Sequence, residues 1–252
     1  MNESELEMEK GSTYALAATV TPSDATNKAV TWSSSDTSVA TVSSSGVITA
    51  GANGTATITA TTADGGYTDT CVVTVSTSVT GVTLDNTSAS LKPGDTLTLA
   101  ATVAPSDATN KAVTRSSSDT SVATVSNSGV VTARAAGTAT ITVTTMDGGY
   151  TATCTVTVVP VLTLPSGLVE IDEEAFAGSA AVVVVIPQGC EEIGARAFAD
   201  CANLTDIYIP ASVLTISRTA FSGCPADLVI HGASGSVAQS FANARGYTFV
   251  AE

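Results

Sequence analysis

Basic residues are scarce in this chain of 252 residues, in which nine Lys and Arg stand against 23 Asp and Glu and give a net charge of −14. A nucleic-acid-binding protein needs a basic surface to neutralise phosphates, and an anionic membrane surface attracts the same residues. We therefore expect no nucleic-acid partner and no binding to anionic lipid, and we interpret the acidic balance as a source of solubility.

Histidine occurs once, as His231. A single histidine argues against His-based catalytic triads and His-rich metal sites, and we expect His231 to be solvated or simply packed in the last short strand. The chain also lacks a phosphate-binding glycine loop, a nucleophile elbow and any CxxC-type spacing. We therefore expect a protein that is not an enzyme, with no catalytic residue, no cofactor and no metal ligand.

Carboxylates are common, but their positions follow the repeats of the chain. The pairs Glu173-Glu174 and Glu191-Glu192 could act as glycosidase carboxylates, but they fall at matching places in a repeat, which favours a solvated edge. The Asp-Gly-Gly-Tyr segments at 64–67 and 147–150 could help to hold calcium, although no DxDxDG loop is present. Turn formation explains these segments better.

Long apolar runs are also missing. The longest, Ala180–Ile186, is too short to span a bilayer, so we expect no membrane insertion within this segment. The first ten residues, MNESELEMEK, are not a signal peptide.

The five cysteines do not indicate a disulfide scaffold. Cys71 and Cys154 lie one in each copy of a long repeat, and Cys190, Cys201 and Cys224 lie in the last third of the chain. This distribution favours buried thiols over disulfides. Cys201 and Cys224 hold the same place in successive short repeats, so they should stack, and cross-linking under oxidation is the alternative.

What the chain does contain is a long internal repeat. With an offset of 83 residues, Gly11–Ser76 aligns without a gap on Gly94–Val159, and 52 of the 66 positions are identical. This period matches a small all-β domain. Met1 then aligns with Leu84, so the first copy has no equivalent of Val79–Thr83, and we expect the chain to begin inside a domain.

Each copy reads as a series of short strands separated by turns. In the first copy, Thr13–Val20 and Thr55–Thr62 alternate apolar or small residues with polar ones, and Tyr67–Val75 does the same. Six or seven such strands predict an antiparallel β-sandwich.

The residues of the repeat carry a family resemblance. TPSDATNKAVTWSSSDTSVATVSSSGVITA, followed by GTATITATT and YTDTCVVTV, resembles the bacterial immunoglobulin-like group 2 domain across nearly the whole of both copies. The resemblance implies an Ig-like sandwich. It also implies spacer domains on exported and surface proteins, including invasin- and intimin-type adhesins.

The second copy departs from this family at one position, where Arg115 replaces the equivalent of Trp32. By strand parity with Val113, Arg115 points inward. Because an unpaired buried cation is costly, we expect its guanidinium to reach the rim of the domain and the second copy to be the less stable one.

After residue 160 the period shortens to 22 or 23 residues. Three Ile or Leu-Pro pairs and three Ala-Phe pairs recur at this spacing, which predicts a leucine-rich-repeat solenoid. Each unit should offer a short strand such as Leu204–Ile209, with Leu204, Ile207 and Ile209 inward.

IGARAFADCANLTDIYIPASVLTISRTAFSGC resembles the BspA-type leucine-rich repeat, and SGSVAQSFANARGYTF resembles the terminal unit of that family. The resemblance implies surface location and a role in adhesion or in binding host matrix proteins. We expect a helix over Ser236–Arg245 that ends at Gly246, followed by a final strand at Tyr247–Phe249.

The predicted fold is therefore mainly β: two tandem Ig-like β-sandwiches and a short C-terminal leucine-rich-repeat solenoid with a terminal helix. The expected domains are 1–77, with a truncated N-terminal strand, then 78–160 and 161–252.

The candidate ligand contacts are Tyr208, which should point out of the ladder, and Val185 at the same place one unit earlier. We expect a monomeric, extracellular or cell-surface bacterial adhesin that binds a host or matrix protein or a surface glycan. The alternatives are a structural spacer and an accessory region of a larger secreted glycan-active enzyme.

Overall fold

The computed structural model describes all 252 residues, which form 24 strands and one helix. They divide into two compact units. One comprises 1–85, 101–114 and 143–152, and the other comprises 86–100, 115–142 and 153–252. The first repeat copy lies in the first unit, the C-terminal third lies in the second, and the second copy contributes to both.

The first copy forms two sheets, with strand orders β1-β7-β6-β3 and β2-β5-β4. Their inward side chains share one core, because side chains along a strand alternate between the two faces. This confirms the predicted sandwich, but not its purely antiparallel pairing, because residues 5–9 pair in parallel orientation with residues 72–76. The strands are β1 (Glu5–Glu9), β2 (Thr13–Ala15), β3 (Val30–Ser34), β4 (Ala40–Val42), β5 (Val47–Ala50), β6 (Gly54–Thr62) and β7 (Thr68–Ser76).

The second copy repeats this arrangement and adds one pair of strands. Its sheets have the orders β12-β15-β16-β9, β10-β14-β13 and β11-β8. The strands are β8 (Gly81–Leu84), β9 (Ser88–Leu91), β10 (Thr96–Thr98), β11 (Ala101–Ala104), β12 (Val113–Ser117), β13 (Ala123–Val125), β14 (Val130–Ala133), β15 (Gly137–Thr145) and β16 (Thr151–Val158).

One predicted strand of the first copy was too long. The strand expected over Thr13–Val20 ends at Ala15, and although Leu16 is buried, Ala18 and Val20 are only half-buried. In the second copy, the residues equivalent to 18–21 form β11, because β8 pairs with them in antiparallel orientation. In the first copy, residues 18–21 lie outside any strand.

Within the first unit, polar contacts hold the junction between the two copies. Lys10 Nζ lies 2.5 Å from Asp107 Oδ2, and Asn53 Nδ2 donates to the Asp107 carbonyl at 2.6 Å. The Thr77 N–H donates to Thr109 Oγ1 at 2.8 Å, and the Thr109 N–H donates to the Thr77 carbonyl at 2.9 Å. These contacts fasten the turn after Ala104 to the end of the first copy.

In the second unit, the C-terminal third forms two parallel sheets with the orders β17-β19-β21-β23-β24 and β18-β20-β22. Apart from the last pair of strands, in which Val229 pairs with Thr248, paired residues are 22 or 23 positions apart, which equals the period of the short repeat. The elements are β17 (Val161–Thr163), β18 (Glu170–Ile171), β19 (Val183–Val185), β20 (Glu192–Ile193), β21 (Asp206–Ile209), β22 (Thr215–Ile216), β23 (Val229–Gly232), α1 (Val237–Arg245) and β24 (Thr248–Ala251).

Stacked phenylalanines form the spine of this region. Phe176 and Phe198 stack with ring centroids 5.4 Å apart, and Phe198 and Phe221 stack at 5.6 Å. The predicted burial of the Ala-Phe pairs is confirmed in the second and third short repeats. In the first short repeat Ala175 is exposed and Phe176 is half-buried, because this repeat has a neighbouring repeat on one side only.

The helix α1 closes the far end of the spine. Its Phe241 ring meets Phe221 edge-on at 5.6 Å. Ser236 caps the N-terminus by accepting from the Gln239 N–H, and Gly246 ends the helix with a φ of 78°. The predicted helix and its caps are thereby confirmed. At nine residues, this one helix falls well short of the length of a membrane span.

Arg115 occupies the place that Trp32 holds in the first copy. It lies against Gly129 as Trp32 lies against Gly46, in agreement with the predicted inward placement. Its Nη1 donates to the Asn127 carbonyl at 2.7 Å, but its buried Nε has no hydrogen-bond partner. An unsatisfied buried donor costs about 1–3 kcal/mol.

Replacing Arg115 tests the energetic cost of its unpaired Nε directly. Arg115→Trp should raise the free energy of unfolding of the second copy by about 1–3 kcal/mol, because it removes the unpaired donor and restores apolar packing. Scanning calorimetry would show this as a higher melting temperature, and the matched Trp32→Arg variant should lower that of the first copy. An unchanged or lower melting temperature for Arg115→Trp would contradict the packing described.

The thiols of the C-terminal third are shielded by their surroundings. Cys201 Sγ lies 3.3 Å from the Phe176 carbonyl, and Cys224 Sγ lies 3.1 Å from the Phe198 carbonyl. Neither cysteine forms a disulfide in the structure. Burial raises the pKa of Cys224 to about 11.

This pKa predicts slow chemistry at Cys224, since the thiolate is the reactive form. At pH 8 its labelling by a thiol reagent in the native protein should be on the order of 10²-fold slower than in the guanidinium-unfolded chain. Peptide mass spectrometry of time-quenched samples would measure both rates. Rapid native labelling of Cys224 would show that the thiol is accessible.

Candidate contact surface

A row of side chains crosses the outer face of the five-stranded parallel sheet. The strand registers align Thr163, Val185, Tyr208, His231 and Val250 in order across β17, β19, β21, β23 and β24. Residues in register on parallel strands point to the same face. We call this set the outer row.

Tyr208 lies at the centre of the outer row. Its neighbours Ile207 and Ile209 are buried, so the Tyr208 side chain points away from the core as the sequence predicted. Val185 lies beside it in the paired strand, also as predicted. Whether either residue contacts a ligand stays a prediction.

Two neighbouring side chains, His231 and Lys92, contact the Tyr208 ring, and the residue is half-buried. Tyr208 stacks on His231 with centroids 4.2 Å apart and ring planes 13° apart. Lys92 Nζ donates to the Tyr208 hydroxyl at 2.8 Å and lies 4.7 Å from the ring centroid. The hydrogen bond to Tyr208 raises the pKa of Lys92 in spite of partial burial. The aromatic pair therefore carries a fixed positive charge at its edge.

His231 is packed, as expected, but two carboxylates also hold it. Its Nε2 lies 2.8 Å from Asp206 Oδ1, and its Nδ1 lies 3.2 Å from Glu252 Oε1. Thr205 Oγ1 donates to the other oxygen of Asp206 at 2.7 Å. Both ring nitrogens thus lie within hydrogen-bond distance of a carboxylate of the same surface.

Two open grooves flank Tyr208. One, of about 440 Å³, runs past Val185, Tyr208, His231 and Glu252. The other, of about 500 Å³, runs past Lys92, Val185 and Tyr208. Open grooves lined by aromatic and charged side chains suit a polypeptide or glycan laid across the sheet better than an enclosed small molecule.

The acidic pairs singled out in the sequence lie on the solvated edge, as predicted. All four glutamates are exposed, and Glu174 Oε1 accepts from Arg196 Nε at 2.7 Å. Asp147 accepts the Val79 N–H at 2.9 Å and so has a structural role in its turn. No three His, Cys, Asp or Glu side chains gather as a metal site would require.

Sequence reasoning missed both partners of Tyr208, and it also missed Glu252, which contacts His231. His231 follows Tyr208 by one repeat period, so the 23-residue spacing could have placed the two rings together. Lys92 lies 116 residues away and outside the repeat, and no sequence pattern pointed to it. Glu252 lies beyond the last recognisable repeat position.

Comparison with known families agrees with both resemblances. The family described as "Bacterial Ig-like domain (group 2)" matches residues 2–73 and 78–156. The family described as "BspA type Leucine rich repeat region (6 copies)" matches residues 152–238. Both predicted families are thereby confirmed.

Individual proteins match over short lengths. An Ig-like virion protein of Serratia phage KSP90 is 52% identical over 67 residues, which cover 26% of this chain and 26% of that protein. An alpha-L-arabinofuranosidase of Bifidobacterium longum subsp. longum is 63% identical over 59 residues, or 23% of this chain and 5% of that protein. The chain thus spans about a quarter or less of the length of these relatives.

Among solved structures, domains 1–6 of the surface layer protein SbsC match 56% of this chain and 21% of that chain. The sequence identity is 27% and the TM-score is 0.32.

The hydrogen bonds around Asp206 generate a test of this surface. Burial alone raises the pKa of Asp206, but hydrogen bonds from Thr205 and His231, with the charges of His231 and Lys92, lower it below its ordinary value of 3.8. Its carboxylate therefore stabilises the fold above pH 3.8, and this contribution is lost as the pH falls through the lower folded-state pKa.

Carboxyl-carbon NMR should report an Asp206 pKa below 3.8. His231→Gln should move this pKa upward, while the exposed control Asp172→Asn should leave it unchanged. An Asp206 pKa at or above 3.8 in the unaltered protein would contradict the contacts described.

Proposed function

The chain belongs to the bacterial Ig-like domain (group 2) family, and from this membership and its BspA-type leucine-rich repeat region we propose that it is a non-enzymatic, adhesin-like binding module. Its domains are those of a surface or secreted module. In our proposal the Ig-like domains act as the stalk, and the outer row of the repeat region contacts a host or matrix protein or a surface glycan. The protein acts as a monomer outside a bacterial cell.

The observation that carries the proposal is the fixed aromatic pair between two open grooves. Tyr208 and His231 stack at 4.2 Å, and Lys92 holds the tyrosine hydroxyl. Rigid aromatic side chains favour contact surfaces because little conformational entropy is lost when a partner binds them. Because side chains from separate strands fix one another, the surface is already formed before a partner arrives.

The stalk role is supported by the junction between the two Ig-like copies. Within the first unit, Lys10 pairs with Asp107, and Thr77 exchanges hydrogen bonds with Thr109. A junction with several short polar contacts restrains bending better than a flexible linker does. We place the domain boundaries at 1–77, 78–160 and 161–252.

A second candidate function has support from the relatives. The alpha-L-arabinofuranosidase, a lacto-N-biosidase of Bifidobacterium bifidum and a kappa-carrageenase of Pseudoalteromonas carrageenovora share 47–63% identity with stretches of 59–68 residues of this chain. An accessory region of a larger secreted glycan-active enzyme would carry such a stretch. In that case the outer row would bind the glycan that the enzyme acts on, or the whole chain would serve as a spacer.

A binding screen tests the adhesive role. The full chain should bind saturably to one or more members of a panel of extracellular-matrix proteins, mucins and glycans in about 0.15 M salt, where weak surface charge effects are screened. Tyr208→Ala should weaken this binding at least tenfold, since it removes the centre of the outer row.

The matched control is Leu214→Ala, because Leu214 is 64% exposed and does not belong to the outer row. Binding that survives Tyr208→Ala but falls with Leu214→Ala would move the contact to another face. A well-folded chain that binds no member of the panel would favour the spacer role, and binding to glycans alone would favour the accessory role.

A further inference from the structure

Two arginines meet where the last helix packs on the repeats. Arg218 follows β22, and Arg245 is the last residue of α1. A guanidinium N–H of Arg245 donates to the Arg218 carbonyl, so the two residues are in direct contact. Both are exposed, and both belong to the same compact unit. Two of the nine basic residues of an acidic chain are thus neighbours at one place on its surface.

Neither of these arginines has a carboxylate partner. Arg218 forms no ion pair and no side-chain hydrogen bond, and Arg245 donates only to a carbonyl. Arg196 in the preceding repeat is different, because its Nε lies 2.7 Å from Glu174 Oε1 and its Nη2 lies 3.3 Å from Asp200 Oδ2. A guanidinium has five N–H donors, so most donors of the first two arginines are open to an anion from outside.

Two open grooves share both arginines and Phe241 as walls. One groove has a volume of about 460 Å³ and also runs past Ser240. The other has a volume of about 200 Å³ and also runs past Ser222, Gly223 and Tyr247. We call the two grooves together with Arg218 and Arg245 the arginine site. It combines positive charge with hydroxyl groups and the edges of aromatic rings.

The hydrophobic core fixes the walls of the arginine site. Phe241 is 9% exposed, and its ring stacks with the Tyr247 ring with centroids 6.4 Å apart. The Tyr247 hydroxyl donates to the Phe221 carbonyl at 3.3 Å. Ser222 Oγ donates to the Thr219 carbonyl at 2.9 Å, which leaves this oxygen able to accept a hydrogen bond. Because these groups are already in place, little entropy is lost in ordering them when a ligand binds.

The groups of the arginine site indicate the class of ligand. The planar guanidinium presents its donors as a fork that matches the two oxygens of a carboxylate. Serine oxygens can accept from ligand hydroxyls, which an aspartate or glutamate side chain of a protein does not have. The net charge of −14 repels polyanions, such as nucleic acids and heavily sulfated chains. A ligand with one carboxylate and several hydroxyls fits all three features, and an acidic sugar is such a ligand.

We propose that the arginine site binds the carboxylate of an acidic sugar residue. Arg218 and Arg245 donate to the carboxylate, and the serine oxygens accept from hydroxyls of the sugar ring. The site is separate from the outer row, because neither Tyr208 nor His231 lines either groove. The repeat region thereby gains a second contact surface, and this surface selects for negative charge.

Matched saccharides test the proposal with the full chain. The acidic probes are methyl glucuronide and sialyllactose, and their neutral counterparts are methyl glucoside and lactose. In proton–nitrogen NMR titrations in about 0.15 M salt, at least one acidic probe should shift the Nε–H signals of Arg218 and Arg245 saturably. The neutral counterparts should not shift these signals, because they lack the carboxylate.

Variants of the arginines locate the binding. Arg218→Gln should weaken binding of the acidic probe at least tenfold, because it removes charge-assisted hydrogen bonds. Arg218→Lys keeps the charge but loses the fork, so its affinity should lie between the two. The matched control is Arg134→Gln, which removes the same charge from an exposed position that lines neither groove and should leave binding unchanged.

Several results would overturn the proposal. They are the lack of a saturable shift with either acidic probe up to about 10 mM, equal shifts with the neutral counterparts, and undiminished binding by Arg218→Gln. An equal loss in Arg134→Gln would show a general effect of charge. Tighter binding of glucose 6-sulfate would contradict the preference for a carboxylate. Tyr208→Ala should leave binding of the acidic probes unchanged, so this test is independent of that of the outer row.

Discussion

Backbone pairing is the constraint on which this structure depends. The core of the first Ig-like copy is built largely from Ala, Val and Ile, which bury little surface per residue. Each strand therefore depends on backbone hydrogen bonds to a neighbouring strand as well as on its buried side chains. Where β8 supplies that partner, the second copy forms β11. In the first copy, nearly the same residues are irregular, and an open groove lies beside them.

The same constraint shapes the contact surface in the repeat region. Parallel strands 22 or 23 residues apart bring one position of each repeat into a row, so a surface forms from residues that are distant in the chain. The phenylalanine stack fixes the inner side of the repeats, and α1 ends it with Phe241. The outer side is then free to vary, and here it carries the Tyr208–His231 pair with its carboxylates and Lys92.

Much of this fold could be predicted because the sequence repeats at fixed spacings. The offset of 83 gave both sandwiches, alternation gave the buried faces of β6 and β7, and the cap residues gave the bounds of α1. The contact surface could be predicted only in part. The alternation of side chains along a strand placed Tyr208 and Val185 on the outer face of the sheet, but Lys92, which donates to the Tyr208 hydroxyl, lies outside the repeat. The strand over Thr13–Val20 was predicted too long because its length depends on a partner strand, which local alternation cannot reveal.

Amide hydrogen exchange of the unaltered chain tests the central claim, that backbone pairing decides how well each of two nearly identical edges is ordered. Alternate amides of residues 101–104 should exchange at least about 10²-fold more slowly than those of residues 18–21, because the first set is paired and the second is not. The rest of the two copies, such as β6 and β15, should exchange at similar rates. Equal protection of the two edges would contradict the account, since it would mean that the first copy closes its edge without a partner strand.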